Sequence, residues 1–296
     1  MKKIVIANIT GGLGNQMFQY AAAKSLSLSL GFNLYICIDS YALKKQHNGY
    51  ELNSVFDIET PALSRSDLAK YLGRICSTYV IRQSLARMKY CRYLNKSFIN
   101  EHYLSRQKHL ITSRRPYYYL HGYWQSDKYF QLHETEIKKI FSFEKAKKLC
   151  MEHAQQIEDT NSVSIHVRRG DYVTNQKANK LHGQCSLDYY KKAIEHMLQS
   201  HKNCTFFVFT DTPEWAREHI KANGAPMKFV HYTGKNAYVD MYLMSICRHN
   251  IIANSSFSWW AAKLNENIQK TVIAPYNWFN KKETPTDLLP KTWKLM

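Results

Sequence analysis

The sequence predicts an α/β fold built on parallel sheets. Short apolar, β-branched runs alternate with helical patterns through most of the chain. Residues 3–39 read as strand, glycine turn, helix and strand, a unit of the size that makes a parallel crossover. At roughly 150 residues per domain, 296 residues predict two such domains. The polar stretch Glu152 to Asn161 sets the expected division, 1–155 and 156–296. Two α/β halves would place a ligand cleft between them, facing strand carboxyl ends.

The elements follow in order. Lys3 to Ile9 is apolar and β-branched, a buried strand. After Gly11-Gly12-Leu13-Gly14, the residues Phe18, Ala21, Ala22 and Leu26 fall at helical spacing, with Gly31 as C-cap. Asn33 to Ile38 is a second strand, ending at Asp39. The stretch from 60 to 110 is basic, helical in tendency and weakly patterned. Tyr117 to Gly122 is a strand, and Asp127 to Gln156 one helix with Lys/Glu pairs outside. The second half alternates regularly. Strands are expected at Val163–Val167, Thr205–Thr210, Lys228–Tyr232, Ile251–Ala253 and Val272–Ala274. Helices fall between them at Leu187–Gln199, Glu214–Ala222, Val239–Cys247 and Phe257–Leu264, the order of a doubly wound sheet.

Composition narrows the partners. Lys and Arg number 41 against 23 Asp and Glu, a formal net charge of +18. Nucleic acid, an anionic membrane face and phosphorylated small molecules all complement that charge. The basic residues do not gather into a motif that reads RNA or DNA. The seven cysteines are scattered with no C-x-x-C, which points to reduced thiols in a cytoplasm. No apolar run reaches transmembrane length, and the N-terminal one is too short for a signal peptide core.

Three motifs follow strands and carry candidate chemistry. In Gly11-Gly12-Leu13-Gly14-Asn15-Gln16, glycines admit a ligand close to the backbone and the helix start offers N–H groups to an anion. Gly12 and Gly14 fit the first two glycines of a dinucleotide fingerprint, but Met17 replaces the third, and Asp39 sits where a ribose-binding acid would. The amides of Asn15 and Gln16 suit a sugar hydroxyl or a phosphate oxygen. A tight turn with no ligand is the plain alternative. In His166-Val167-Arg168-Arg169-Gly170-Asp171, strand alternation sends His166 and Arg168 to one face and Val167 and Arg169 to the other. Two arginines at a strand end, one fixed by Asp171, suit a diphosphate; the alternative is a surface salt-bridge cluster. In Asn254-Ser255-Ser256-Phe257-Ser258-Trp259-Trp260, a serine caps a helix whose N–H groups favour phosphate, and the tryptophans read as core. Asp211 and Asp240 suit a base, a ribose or a helix end. Tyr123 and Trp124 in Gly122-Tyr123-Trp124-Gln125 suit a sugar ring or plain packing. No cluster has metal-ligand spacing, no D-x-D holds a metal diphosphate, and no Ser-His-Asp elbow is present.

Taken in order, GGLGNQMFQYAAA, GYWQSDKYF, HVRRGDYV and NSSFSWWAAKL resemble glycosyltransferase family 11, the α-1,2-fucosyltransferases, from Ile4 to about Pro275. The length without a membrane anchor resembles the bacterial members. The resemblance implies a GT-B fold, two Rossmann-like domains facing a central cleft. It implies GDP-fucose as donor, inversion at the anomeric carbon, and no metal or other cofactor. The acceptor implied is a β-galactoside, a lipid-linked glycan such as a growing O-antigen, at the inner face of the cytoplasmic membrane. The first half would take the acceptor side, with Tyr123 and Trp124. Arg168 would sit on the β-phosphate, Arg169 would support the pyrophosphate, and Asn15 would lie near the reacting centre. Ser255, Ser256 and Phe257 would hold phosphate and base, and Asp240, sixteen residues before Ser256, would contact the nucleoside beside His166. Gly12, Gly14, Gln16, Asp171, Asp211 and Asn254 complete the expected donor set. Asp127 and Asp171 are the candidate bases, with Asp171 the better arginine partner. Competing expectations are a transferase for another nucleotide sugar or linkage, a nucleotide-binding oxidoreductase, and a nucleic-acid-binding module.

Overall fold

A computed structural model describes residues 2–43, 47–87, 97–101, 115–170, 183–280, 284–285 and 287–296. The chain forms two compact units, Met1–Ser142 and Phe143–Met296. Each is built on one parallel sheet.

The first unit holds β1 (Ile4–Asn8), β2 (Asn33–Cys37), β3 (Phe98–Asn100) and β4 (Tyr117–His121) in the order β2-β1-β4-β3. β1 is buried along its whole length, which explains the apolar run from Ile4 to Ala7. The helix Leu13–Leu30 packs on β1 and ends on Gly31 in the left-handed region, as the spacing predicted. The weakly patterned stretch contributes the helices Arg65–Cys76 and Tyr79–Arg87. Leu68, Leu72 and Ala86 join Ile4, Ile6, Cys37, Phe98 and Tyr119 in one core.

That core contains a fully buried arginine. Arg82 pairs with Asp39, donates to the carbonyls of Ser77 (2.6 Å) and Cys76 (3.3 Å), and donates to Tyr119 Oη (3.1 Å). Tyr119 Oη in turn donates to Asn8 Oδ1 at 3.0 Å. Asp39 is therefore the counter-ion of Arg82, not a ribose acceptor, and the oxidoreductase expectation loses its acid.

The second unit holds β5 (Asn161–Val167), β6 (Cys204–Thr210), β7 (Met227–Val230), β8 (His249–Ile251), β9 (Val272–Ala274) and β10 (Lys294–Leu295). Their order is β10-β9-β8-β5-β6-β7. Val163, Ile165 and Val167 face the helix Leu187–Ser200 through Tyr190, Ala193, Ile194 and Met197. Ser162 and Ser164 alternate with them; their hydroxyls accept from Arg248 N (3.1 Å) and Asn250 Nδ2 (2.8 Å).

Three expectations need correction. The helix expected over 127–156 is two 3-10 turns followed by the helices Glu134–Ile140, Glu144–Leu149 and Met151–Glu158. The break falls where the chain buries Phe141 against Phe56 and Phe143 against Tyr242. The last two helices pack on the helix Tyr238–Ile246, so the division lies after Ser142 rather than near 155. The strand expected at 251–253 runs instead over His249–Ile251, and β3 and β10 were not foreseen. All three strands are too short to show a period of their own.

Removing Arg82 would strand the hydrogen-bonding groups it now satisfies. Arg82→Ala is expected to cost roughly 3–5 kcal/mol. Urea unfolding measures the loss, and a loss under about 1 kcal/mol would contradict this account of the core.

Candidate functional site

In a doubly wound sheet the chain leaves neighbouring strands in opposite directions at one point, and the carboxyl ends there open a crevice. In the second unit that point lies between β5 and β8. The Arg168-Arg169 and Ser255-Ser256 segments follow those strands. In the first unit it lies between β1 and β4, followed by the Gly12-Leu13-Gly14-Asn15 turn and the Gly122–Gln125 segment.

In the second unit, one carboxylate organises both arginines. Asp211, just past β6, lies with Oδ2 3.0 Å from Arg168 Nη1, and its Oδ1 accepts from the Arg169 backbone N–H at 2.9 Å. The Arg169 guanidinium stacks on Trp215, 3.7 Å from the ring centroid. Trp215 stacks in turn on His219, with centroids 4.5 Å apart. A side chain at Gly170 would place its Cβ 2.9 Å from Asp211 Oδ2 and so push the carboxylate aside. Asp211 was expected on a base or ribose; the structure makes it the arginine partner, the role expected of Asp171. Asp171 itself lies outside the described residues.

His166 is buried on the face opposite Val167, with its ring 5.8 Å from that of Phe257. Its Nδ1 finds no hydrogen-bond partner among the described residues. Burial, reinforced by the Arg168 charge and opposed by Asp211, holds the imidazole far below its ordinary value and therefore neutral. Ser255 caps the helix Ser256–Leu264 by accepting the Phe257 N–H at 3.3 Å. Ser256 is the first helical residue, half-buried like Phe257. Trp259 and Trp260 are core, as expected. Asn254 donates to the carbonyls of Gly183 (3.2 Å) and Trp278 (3.3 Å), so its amide hydrogens serve the fold rather than a donor. Asp240 Oδ1 accepts the Tyr232 N–H at 3.1 Å, and burial pushes its carboxyl up to about 8.

In the first unit, Gly12 is the N-cap of the long helix and Gly14 is buried in its first turn. Gln16 was expected to touch the donor. Its Nε2 donates to the carbonyls of Gly11 (3.0 Å) and Gly49 (2.8 Å), and its Oε1 accepts from Glu51 N at 2.9 Å. It is fully buried and latches the turn to the following loop. Asn15 is half-buried, and its Oδ1 accepts from Gln125 Nε2 at 2.7 Å. Tyr123 is 52% exposed, whereas Trp124 is buried edge-on against Tyr129, 5.0 Å between centroids. Trp124 is thus corrected from a sugar platform to packing, and Tyr123 keeps the exposed ring. Asp127 is half-buried and opens the 3-10 turn Asp127–Tyr129, which packs on the long helix. Glu101, which the sequence reading missed, accepts the Tyr123 N–H at 2.8 Å. Among the described residues, no group of three His, Cys, Asp or Glu side chains is placed to hold a metal ion. No helix among them is long and apolar enough to cross a membrane.

Comparison with known proteins bears on the family and the fold. The sequence model of a family described as "Glycosyl transferase family 11" matches residues 4–294. An alpha-1,2-colitosyltransferase from Escherichia coli is 34% identical over 296 residues, covering 98% of each chain. The O-antigen biosynthesis glycosyltransferase WbnK from Escherichia coli is 35% identical over 92% of this chain and 93% of its own. A galactoside alpha-(1,2)-fucosyltransferase 1 from Leontopithecus chrysomelas matches over a shorter span, 33% identical across 34% of this chain and 28% of its own. Among solved structures, the fucosyltransferase NodZ from Bradyrhizobium superposes with a TM-score of 0.56 at 15% identity, covering 88% of this chain and 92% of that one. That likeness shows the fold, which is of the GT-B class.

Histidines wholly or partly buried in the fold set an acid limit on stability. Burial, with Arg82 adding to it, pushes His121 down to about 4. The unfolded chain then binds a proton near pH 6.5 that the folded chain refuses, so stability falls as pH drops from there toward 4. His121 alone is expected to cost roughly 2 kcal/mol at pH 4.5. His121→Gln should flatten that slope in denaturant titrations at pH 7 and 4.5; equal slopes would contradict the assignment.

Proposed function

The chain belongs to glycosyltransferase family 11, and from that premise we propose that it transfers L-fucose from GDP-β-L-fucose to O2 of a terminal galactose in a bacterial surface glycan such as O-antigen. The observation that carries the reading is the Arg168-Arg169 pair, tied to Asp211 where the second sheet reverses its order. Two permanent cations fixed at strand ends suit the diphosphate of a nucleotide sugar. Of the two nearly full-length matches in Escherichia coli, the colitosyltransferase supports the α-1,2 linkage and WbnK the O-antigen setting, and the shorter match to a galactoside fucosyltransferase supports fucose and a galactoside.

The mechanism follows from the charges. Galactose O2 forms a bond to the anomeric carbon on the face opposite GDP. The bond from that carbon to the β-phosphate oxygen breaks, and its electron pair leaves with GDP. A β linkage thus becomes α. Arg168 meets the charge growing on the β-phosphate, and Arg169, propped on Trp215, supports the pyrophosphate. That supply of positive charge is why the reaction is proposed to need no metal. Ser256 and Phe257 are assigned to phosphate and base, His166 stays neutral beside them, and Asp240 is assigned to the nucleoside. On the first unit, Asn15 and the exposed Tyr123 ring are assigned to the sugar side. Asp127 is the described candidate for taking the O2 proton.

The colitosyltransferase match favours a second reading, in which the donor is GDP-colitose. Colitose lacks the 3-hydroxyl of fucose, so the two donors differ by one group that a site either bonds or leaves unpaired. An end-point assay with both donors, EDTA and a panel of β-galactosides, followed by linkage analysis, separates them. Transfer of fucose to galactose O2 with EDTA present is the expected result. Colitose transfer alone supports the second reading, and a rate lost to EDTA and restored by Mn²⁺ contradicts the arginine account. Arg168→Ala should lower kcat about 10²–10³-fold in a folded protein. Retention of more than about a tenth of the rate would remove Arg168 from its role.

A further inference from the structure

We propose that Glu101 is a positioning residue for this transfer, acting through the 122–125 turn and Gln125 on the Asn15 amide. The inference rests on the role assigned to Asn15 above.

The edge strand β3 ends at Asn100, and Glu101 follows beside the end of β4. Glu101 Oε2 accepts the Tyr123 N–H at 2.8 Å, and the backbone N–H groups of Trp124 and Gln125 also bond to this carboxylate. Three successive N–H groups converging on one carboxylate form an anion cradle. Burial opposes the charge and raises the carboxyl, while the three donors and Lys128 pull it back down. The cradle demands an unusual backbone. Trp124, a bulky residue, takes φ +58°. Gly122 takes φ +152°, and a Cβ there would fall 2.4 Å from Glu101 Cβ. Such a turn persists only where its surroundings over-determine it. Glu101 supplies that determination, and the cradle ends at Gln125, whose Nε2 holds Asn15 Oδ1 at 2.7 Å. Gln125 occupies Asn15 Oδ1, and Asn15 Nδ2 lies toward Gly11. One edge-strand carboxylate therefore sets the direction of an amide at the first turn of a different element.

The test is a double-mutant cycle on the full chain, with GDP-fucose and a β-galactoside. Glu101→Gln keeps the shape and one acceptor oxygen but loses the charge. Its transfer kcat should fall on the order of ten- to hundredfold. GDP affinity, a property assigned to the second unit, should stay within about twofold. Gln125→Met, which leaves Glu101 untouched, should give a similar kcat loss and covers the case in which Glu101→Gln does not fold. In an Asn15→Ala background, Glu101→Gln should add less than about a twofold loss. A full additional loss there, or wild-type kcat in Glu101→Gln, would overturn the proposal. The side-chain amide resonances of Asn15 and Gln125 give a readout that does not depend on the donor. Both should shift in Glu101→Gln, and an unshifted Asn15 amide would overturn the proposal. If the wild type does not turn over GDP-fucose, the fucose reading fails by itself and these resonances still decide Glu101.

Discussion

Arginine side chains are long, and two adjacent ones at a strand end repel each other. A pair becomes a binding site only when something removes its freedom without cancelling its charge. Asp211 meets that condition: it contacts the Arg168 guanidinium with one oxygen and the Arg169 backbone with the other. Asp211 therefore partly neutralises the Arg168 guanidinium and leaves that of Arg169 untouched. The other leans on the face of Trp215, where a cation is held without giving up a proton or a full charge. Gly170 leaves the room that the carboxylate needs. The donor site assigned to the second unit depends on this arrangement.

The first unit solves a similar problem with a different charge. Its sheet also reverses at one strand pair, and its polar groups gather where β1 and β4 end. There the organising group is again a carboxylate, Glu101, but its partners are backbone N–H groups rather than guanidiniums. Below it, Arg82 and Asp39 join β2 to the helix Tyr79–Arg87, and Tyr119 ties them to β1 through Asn8. Buried polar groups in this unit are thus committed to holding strand ends in place. Gln16 belongs with them: every hydrogen-bonding group of its amide is used inside the fold.

Much of the site was legible in the sequence because parallel strands advertise their ends. An apolar run that stops at Gly11-Gly12 or at Arg168-Arg169 marks a carboxyl end, and sheet topology places ligands there. What was not legible depends on neighbours distant in the chain. Asp211 stands 2.9 Å from the Arg169 N–H across 42 residues. Asp171 looked like the natural partner by adjacency alone. The missing signal was the order of strands: β6 lies beside β5, so the acid just past β6 faces the arginines just past β5. Glu101 was hidden for a related reason. It follows a strand of three residues, too short to carry a period. Trp124 was misread because an aromatic after a strand can stack outward or fold inward, and only its left-handed backbone sends it inward. The long helix expected over 127–156 failed because Phe141 and Phe143 each leave helical geometry to join a core.

The central claim is that Asp211 makes the arginine pair into a nucleotide-diphosphate site. Calorimetric titration of GDP in EDTA, on the wild type and on Asp211→Asn, tests it most directly. The account predicts binding to the wild type with EDTA present, and a weakening on the order of tenfold or more in the variant, as expected for a hydrogen bond to a charged group. Equal affinity in the two proteins, or wild-type binding that appears only when a divalent cation is added, would contradict it.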